Sequence, residues 1–256
     1  MYNRIEIKNR NNKKIVVIAD ISENQKGLAF VTHGLGGFKE QPHIITFAEA
    51  FKEKDYTVIR FDTTNTFGES DGLYEYATAT NYYEDLEDVI KWAKKQVWYQ
   101  EPFCLCGHSL GGLSIGLYAE NHPNEVKALV PISTVVSGKL SLQTPRYKGN
   151  DILEKWEKTG WNIKESNGKI KKLPWSHIED RIKYDLLDKV DRLKMPVLLI
   201  VGEQDDSTPP EHQKIFYEKL SGLKELHIIK NAPHTLKDKS HLKEIKEILL
   251  KWISKL

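Results

Sequence analysis

The sequence predicts an α/β protein with a mainly parallel central sheet, helices on both of its faces, and an inserted cap late in the chain. Three observations carry this. Short apolar runs at residues 28–32, 57–61, 103–106, 126–131, 196–201 and 224–229 alternate with stretches of helical period. Strands separated by helices imply right-handed βαβ crossovers and parallel pairing. A Gly107-x-Ser109-x-Gly111 turn joins the run 103–106 to a helical pattern through Leu113, Leu117 and Tyr118. The strand-helix rhythm then fails between residues 137 and 183 and resumes afterwards.

Taken in order, residues 4–8 and 13–19 read as a hairpin around the turn Asn9-Arg10-Asn11-Asn12, which sets an antiparallel edge at the start. The strand 28–32 ends in His33-Gly34-Leu35-Gly36-Gly37. A helix after Pro42 is expected to bury Ile45, Phe47, Ala48 and Phe51. The strand 57–61, a loop 62–72 and a helix 82–97 precede the serine turn, and a helix to Asn121 and the strand 126–131 follow it. The late units are a strand 196–201, a helix 211–220, a strand 224–229 and a terminal helix 239–255. Between them, a short helix 151–158 precedes two weakly alternating runs, 161–166 and 169–173, around Asn167-Gly168. Asn-Gly supplies the two positive-φ residues of a tight hairpin turn. The expected division is a core of residues 1–136 and 184–256 with a lid, 137–183. That lid holds three of the six tryptophans (Trp156, Trp161, Trp175) and eleven Lys or Arg against six Asp or Glu. Those aromatics either pack the lid onto the body or line a substrate pocket.

A chain of 256 residues can bury a sizeable core. Its net charge of +2, without basic runs interleaved with aromatics, excludes a nucleic-acid surface as the expectation. No stretch approaches 18 apolar residues and the first residues lack a signal-like apolar run, so no membrane role and a cytoplasmic location are expected. A monomer or homodimer is expected. Cys104 and Cys106, two apart on one strand, face the same way and read as small buried hydrophobes. They do not make a disulfide framework or a zinc site, and neither metal nor cofactor is expected.

A serine hydroxyl needs a general base, and the base needs an acid to hold its tautomer. Of nine histidines, His234 sits in the loop between the last expected strand and the terminal helix. His33 and His108 belong to their own turns and are expected to brace backbone. The acid is sought after the strand 196–201, where Asp205 is favoured over Asp206 and Glu203. The negative oxygen of a tetrahedral intermediate needs preorganised donors. Expected donors are the amides of Leu110, directly after the serine, and of Leu35 in the glycine-rich loop.

The segments His33-Gly34, Gly107 to Gly111, Gly202-Glu203-Gln204-Asp205 with Pro209, and His234 together resemble the α/β-hydrolase superfamily over nearly the whole chain outside the lid. The compact length, the initial hairpin, the run 34–42, the loop Gly68-Glu69-Ser70-Asp71-Gly72 and the hairpin-bearing insert are similar to the feruloyl and cinnamoyl esterase branch. The chain departs from that branch at Leu110, often glutamine there, and at Thr66-Phe67-Gly68, where Gly-His-Gly is usual. The resemblance implies an α/β-hydrolase fold and hydrolysis of a small or aromatic ester through an acyl-enzyme. Ser109, Asp205 and His234 would be the triad, Leu35 and Leu110 the oxyanion hole, and Trp156, Trp161 and Trp175 candidate substrate contacts. Alternatives with the same triad are a monoacylglycerol lipase, a thioesterase or a peptidase; a binding protein without turnover is the rival from another class.

Overall fold

The computed structural model describes residues 2–166 and 168–256. Strands β1 (Tyr2–Lys8) and β2 (Lys14–Asp20) form the antiparallel hairpin; β3 (Gly27–Thr32), α1 (Pro42–Lys52) and β4 (Tyr56–Phe61) follow. Next come α2 (Ala79–Ala93), β5 (Phe103–His108), α3 (Leu110–Asn121) and β6 (Val126–Ile132). After the inserted segment stand β9 (Val197–Gly202), α6 (Pro210–Lys219), β10 (Lys224–Ile229) and α7 (Lys239–Ile253). The eight-stranded sheet has the order β1-β2-β4-β3-β5-β6-β9-β10, with β2 antiparallel to β1 and β4 and the remaining pairs parallel. This is the α/β-hydrolase fold.

Alternation along each strand divides the core in two. Leu28, Phe30, Phe103 and Leu105 face α2, α3 and α6, while Ala29, Val31, Cys104 and Cys106 face α1 and α7. Both cysteines are buried and free. Helix α3 is buried from Leu110 to Glu120, on every face and not only along the Leu113, Leu117 and Tyr118 stripe. No helix among the described residues is long and apolar enough to cross a membrane.

Two helices depart from expectation. In α1 the buried stripe is His43, Ile44, Phe47, Ala48, Ala50 and Phe51, with Ile45 only half buried. Position 45 stands two residues before 47 and so falls off the i, i+3, i+4 face. Helix α2 starts at Ala79, because the Thr78 hydroxyl accepts a hydrogen bond from the Asn81 amide at 3.0 Å and caps it. It ends at Ala93, leaving Val97 exposed.

The inserted segment carries α4 (Ile152–Thr159), the antiparallel pair β7 (Trp161–Ser166) and β8 (Lys169–Pro174), and α5 (Ser176–Arg181). Asn167, the expected first turn residue, lies outside the described residues; Gly168 adopts φ +68°. Trp156, Leu173 and Ile178 form a small core of their own, against which Leu35 and Tyr74 of the body pack. At its base, Ser137 and Asp185 form an isolated antiparallel bridge, and the Ser137 hydroxyl donates to Asp185 at 2.6 Å.

Two buried titratable groups make stability predictions. Lys39 is 1% exposed, its ammonium 2.9 Å from the fully buried Asp62 carboxylate and also paired to Glu69. Asp62 in turn accepts the amides of Lys39 (2.7 Å) and Glu69 (2.8 Å), tying the two loops above β3 and β4 together. Lys39→Met strands the Asp62 charge, and a loss of about 3–5 kcal/mol is expected in urea unfolding. Within 1 kcal/mol of wild type, the pair would be structurally neutral.

Glu120, near the end of α3, is 2% exposed, and its Oε1 has no hydrogen-bond partner. Burial first, then the nearby Asp185 and Asp188, push its carboxyl up to about 8. Below about pH 4.5 the folded and unfolded chains both hold this proton. From there to pH 8 only the fold holds it, so stability falls as pH rises. Glu120→Gln is expected to match wild type near pH 4.5 and to exceed it by a few kcal/mol at pH 8. Thermal melts at the two pH values check this, and parallel pH profiles would refute it.

Candidate active site

The site begins with a backbone constraint. Ser109 adopts φ 55° and ψ −116° between β5 and α3, a conformation uncommon for any residue with a side chain. Its amide donates to Ile132 at 3.0 Å, and its carbonyl accepts from the Leu113 amide at 3.2 Å. The flanking glycines are needed for close approach. A Cβ on Gly107 would stand 2.6 Å from the Gly111 carbonyl, and one on Gly111 would stand 2.4 Å from the His33 carbonyl.

The loop after β10 brings His234 Nε2 to 3.0 Å from Ser109 Oγ. The loop after β9 sets Asp205 Oδ1 and Oδ2 at 3.0 and 2.9 Å from His234 Nδ1. A carboxylate only accepts, so Nδ1 carries the proton and Nε2 presents its lone pair to the serine hydroxyl. Asp205 is 2% exposed. Burial opposes its charge, but hydrogen bonds from His234 and Thr208 outweigh that and hold the carboxyl well below the usual range. The alternatives lie elsewhere. Asp206 accepts from the Ser207 hydroxyl at 2.8 Å, and Glu203 from the Asn231 amide at 2.9 Å.

Two further residues hold this relay. Thr208 donates its amide to Asp205 Oδ1 at 2.8 Å, and its hydroxyl lies 2.8 Å from Oδ2. An Asp with a Thr three residues on is an ordinary turn signal, so nothing in the sequence sets it apart. His108 Nε2 lies 2.9 Å from the His234 carbonyl and must donate to it. Burial first, then neighbouring His43 and His234, push His108 well below the usual imidazole range, so this donor stays neutral. His108 thus braces the backbone of His234 rather than its own turn.

Leu110 heads α3, where the first amides of a helix have no partner within it. Leu35 follows Gly34, on which a Cβ would fall 2.9 Å from Ser109 Cβ, so the loop after β3 runs directly against the serine turn. Three bonds set that loop. His33 Nδ1 donates to the Gly34 carbonyl at 2.8 Å and its Nε2 accepts from Thr63 at 3.1 Å, while the Tyr82 hydroxyl donates to Gly34 at 3.0 Å.

Two cavities meet at Ser109 and His234. One, of about 300 Å³, runs beneath the inserted segment past Leu35, Leu110, Tyr74, Trp156 and Leu173. The other, of about 410 Å³, lies over Gly34, Gly37, Phe38, His43 and His108. Trp156 reaches the first cavity, but Trp161 and Trp175 line neither. Trp161 stands outward on β7 with the Lys172 ammonium 3.8 Å from its ring centroid, and Trp175 packs edge-on against Trp156.

The profile of a hydrolase family described as serine aminopeptidase, S33, matches residues 23–173. The chain is 26% identical over 261 aligned positions to an uncharacterised 31.7 kDa protein of the traX-finO intergenic region of Escherichia coli, spanning 89% of this chain and 90% of that one. It is 25% identical over 207 positions to a thermostable monoacylglycerol lipase of Bacillus sp. (strain H-257), spanning 77% and 80%. Among solved structures it is similar to Est1E from Butyrivibrio proteoclasticus with ferulic acid bound, with TM-score 0.83 and 24% identity over 98% of each chain.

Proposed function

We propose, from the premise that the chain belongs to the hydrolase family described as serine aminopeptidase, S33, that it is a serine ester hydrolase with residues 137–183 as its lid. Its substrates are small or aromatic esters of the feruloyl and cinnamoyl type, and it works through an acyl-enzyme. The single observation that supports this most is the continuous relay of 3.0 Å from Ser109 Oγ to His234 and 2.9 Å from His234 to Asp205.

In the reading proposed, Ser109 Oγ bonds to the ester carbonyl carbon while its proton passes to His234 Nε2. The oxygen turns negative and is met by the amides of Leu35 and Leu110. Collapse breaks the carbon–alkoxide bond, and His234 gives its proton to the departing alcohol. Water then repeats the sequence on the acyl-enzyme, freeing the acid and restoring the serine. Asp205 keeps Nδ1 protonated throughout.

Within this family an ester suits the cavities better than a peptide N-terminus. A free ammonium group calls for a carboxylate, and among the described residues neither cavity lining includes Asp or Glu. The aromatic preference is supported by Tyr74 and Trp156 in the lining, and by the ferulic acid bound to Est1E. The monoacylglycerol lipase relative keeps a glycerol ester as the second reading.

A fluorophosphonate is expected to add covalently to one residue, and peptide mapping should find it on Ser109. Nitrophenyl acetate, decanoate and ferulate compared side by side then rank the acyl groups, with ferulate expected first. Labelling elsewhere, or absence of hydrolysis across the panel, would overturn the reading.

A further inference from the structure

Arg181, the last residue of α5, lines the smaller cavity. It is 9% exposed, and neither Nε nor Nη2 has a hydrogen-bond partner. Those two nitrogens share one edge of the guanidinium, the side-on fork that matches both oxygens of a carboxylate. A buried cation with unmet donors is costly unless something arrives to meet them. Its charged neighbour makes the deficit worse. Burial lowers the hold of Arg181 on its proton, the Tyr147 hydroxyl partly restores it, and Arg146 opposes it again.

The surroundings have the same sign. Arg146, Lys164 and Lys171 line this cavity with Arg181, and among the described residues no Asp or Glu does. Arg146 donates to the Ser207 hydroxyl at 3.0 Å rather than to a carboxylate. The second cavity shares Lys171 and adds Lys237, again with no acidic residue. The whole chain has 38 Lys and Arg against 36 Asp and Glu, so this bias is local to the site. Trp156 Nε1 is another buried donor without a partner. The nearby His177 donates its Nδ1 proton to the Ala77 carbonyl at 2.8 Å and leaves Nε2 unmet.

Resting on the hydrolytic reading of Ser109, we infer that the substrate is an anion: it bears a carboxylate that seats on the Nε–Nη2 edge of Arg181, in the cavity that Trp156 also lines, while its scissile carbonyl lies at Ser109. Lysines around the mouth draw such a substrate in, and the buried guanidinium selects it. An aromatic or alkyl spacer between the two ends fills the cavity along Tyr74 and Leu173. The substrate class is therefore a half ester of a dicarboxylic acid, or an ester whose alcohol part carries the acid.

The test separates binding from turnover. In the Ser109→Ala protein, monomethyl esters of glutaric, adipic and suberic acid are titrated calorimetrically beside their uncharged dimethyl esters. At least one monoester is expected to bind ten or more times tighter than its diester, and Arg181→Gln in the same background is expected to erase that ratio. Arg181→Lys should keep part of it. In the protein with Ser109 intact, kcat/KM for the nitrophenyl half ester of glutaric acid should exceed that for nitrophenyl valerate, or 4-carboxyphenyl valerate should exceed phenyl valerate. Monoesters binding no tighter than diesters would overturn the inference whatever happens to turnover. That comparison needs no Arg181 variant, so a variant that fails to fold does not blunt it. Preferential binding of the monoester with no hydrolysis of any ester would leave the anion site standing and remove the esterase reading alone.

Discussion

Ser109→Ala is expected to lower kcat for the best nitrophenyl ester by about 10⁶-fold while leaving KM within a few-fold. The size follows from what remains. In the mechanism proposed above, loss of Oγ removes the acyl-enzyme, and water would have to attack directly, aided by His234 and the proposed donors at Leu35 and Leu110. Residual catalysis of about 10³–10⁴ over solution comes from such donors and binding alone. The fold should not suffer, since among the described residues Oγ bonds only to His234. Alanine also meets the same positive φ that serine already tolerates at 55°. Single-turnover kinetics on the purified variant, with a melt beside them, make the measurement. A variant retaining a tenth of the activity would show that Ser109 is not the nucleophile.

Asp205→Asn carries the second large effect, a fall in kcat of about 10⁴-fold with geometry nearly unchanged. The carboxylate at 205 faces donors on every side. It meets His234 Nδ1, the Ser207 amide at 2.9 Å, the Thr208 amide at 2.8 Å and the Thr208 hydroxyl. An amide side chain has one accepting oxygen and one donating nitrogen. Its oxygen is claimed by the two amides at Oδ1, so its NH₂ turns towards His234 Nδ1. That forces the imidazole proton onto Nε2, where it can no longer accept from Ser109. One donor is also left unmet, so a stability loss of about 1–3 kcal/mol should accompany the kinetic one. Stopped-flow acylation rates test it, and a loss below tenfold would exclude Asp205 as the group that sets the tautomer.

The parts of this architecture legible in the sequence are those encoded locally. Strand-to-helix alternation is a matter of period, and the Gly107-Ser109-Gly111 turn announces itself because close approach excludes side chains at both flanks. Position in a loop after a late strand singled out His234, and a short count from Gly202 favoured Asp205. Helix limits were less legible. Thr78 caps α2 three residues earlier than the apolar stripe suggests, and Ile44 rather than Ile45 faces the sheet. The tryptophans of the insert were legible only as a group. Their composition says that some surface is aromatic, but strand alternation in β7 turns Trp161 outward while α4 turns Trp156 in.

Strand-helix rhythm and the spacing of Gly107, Ser109 and Gly111 were enough for the fold class and the strained serine, because both are written in residues close together along the chain. What surrounds them came only with the folded chain. It set the donation from His108 to a carbonyl 126 residues away, the grip of Thr208 on Asp205, and the isolation of the Arg181 fork among other cations. The physical reason is that a hydrogen bond, or the lack of one, is a property of a meeting point. Here segments distant along the chain converge over the carboxyl ends of the parallel strands, and no local pattern records which side chains will face one another there.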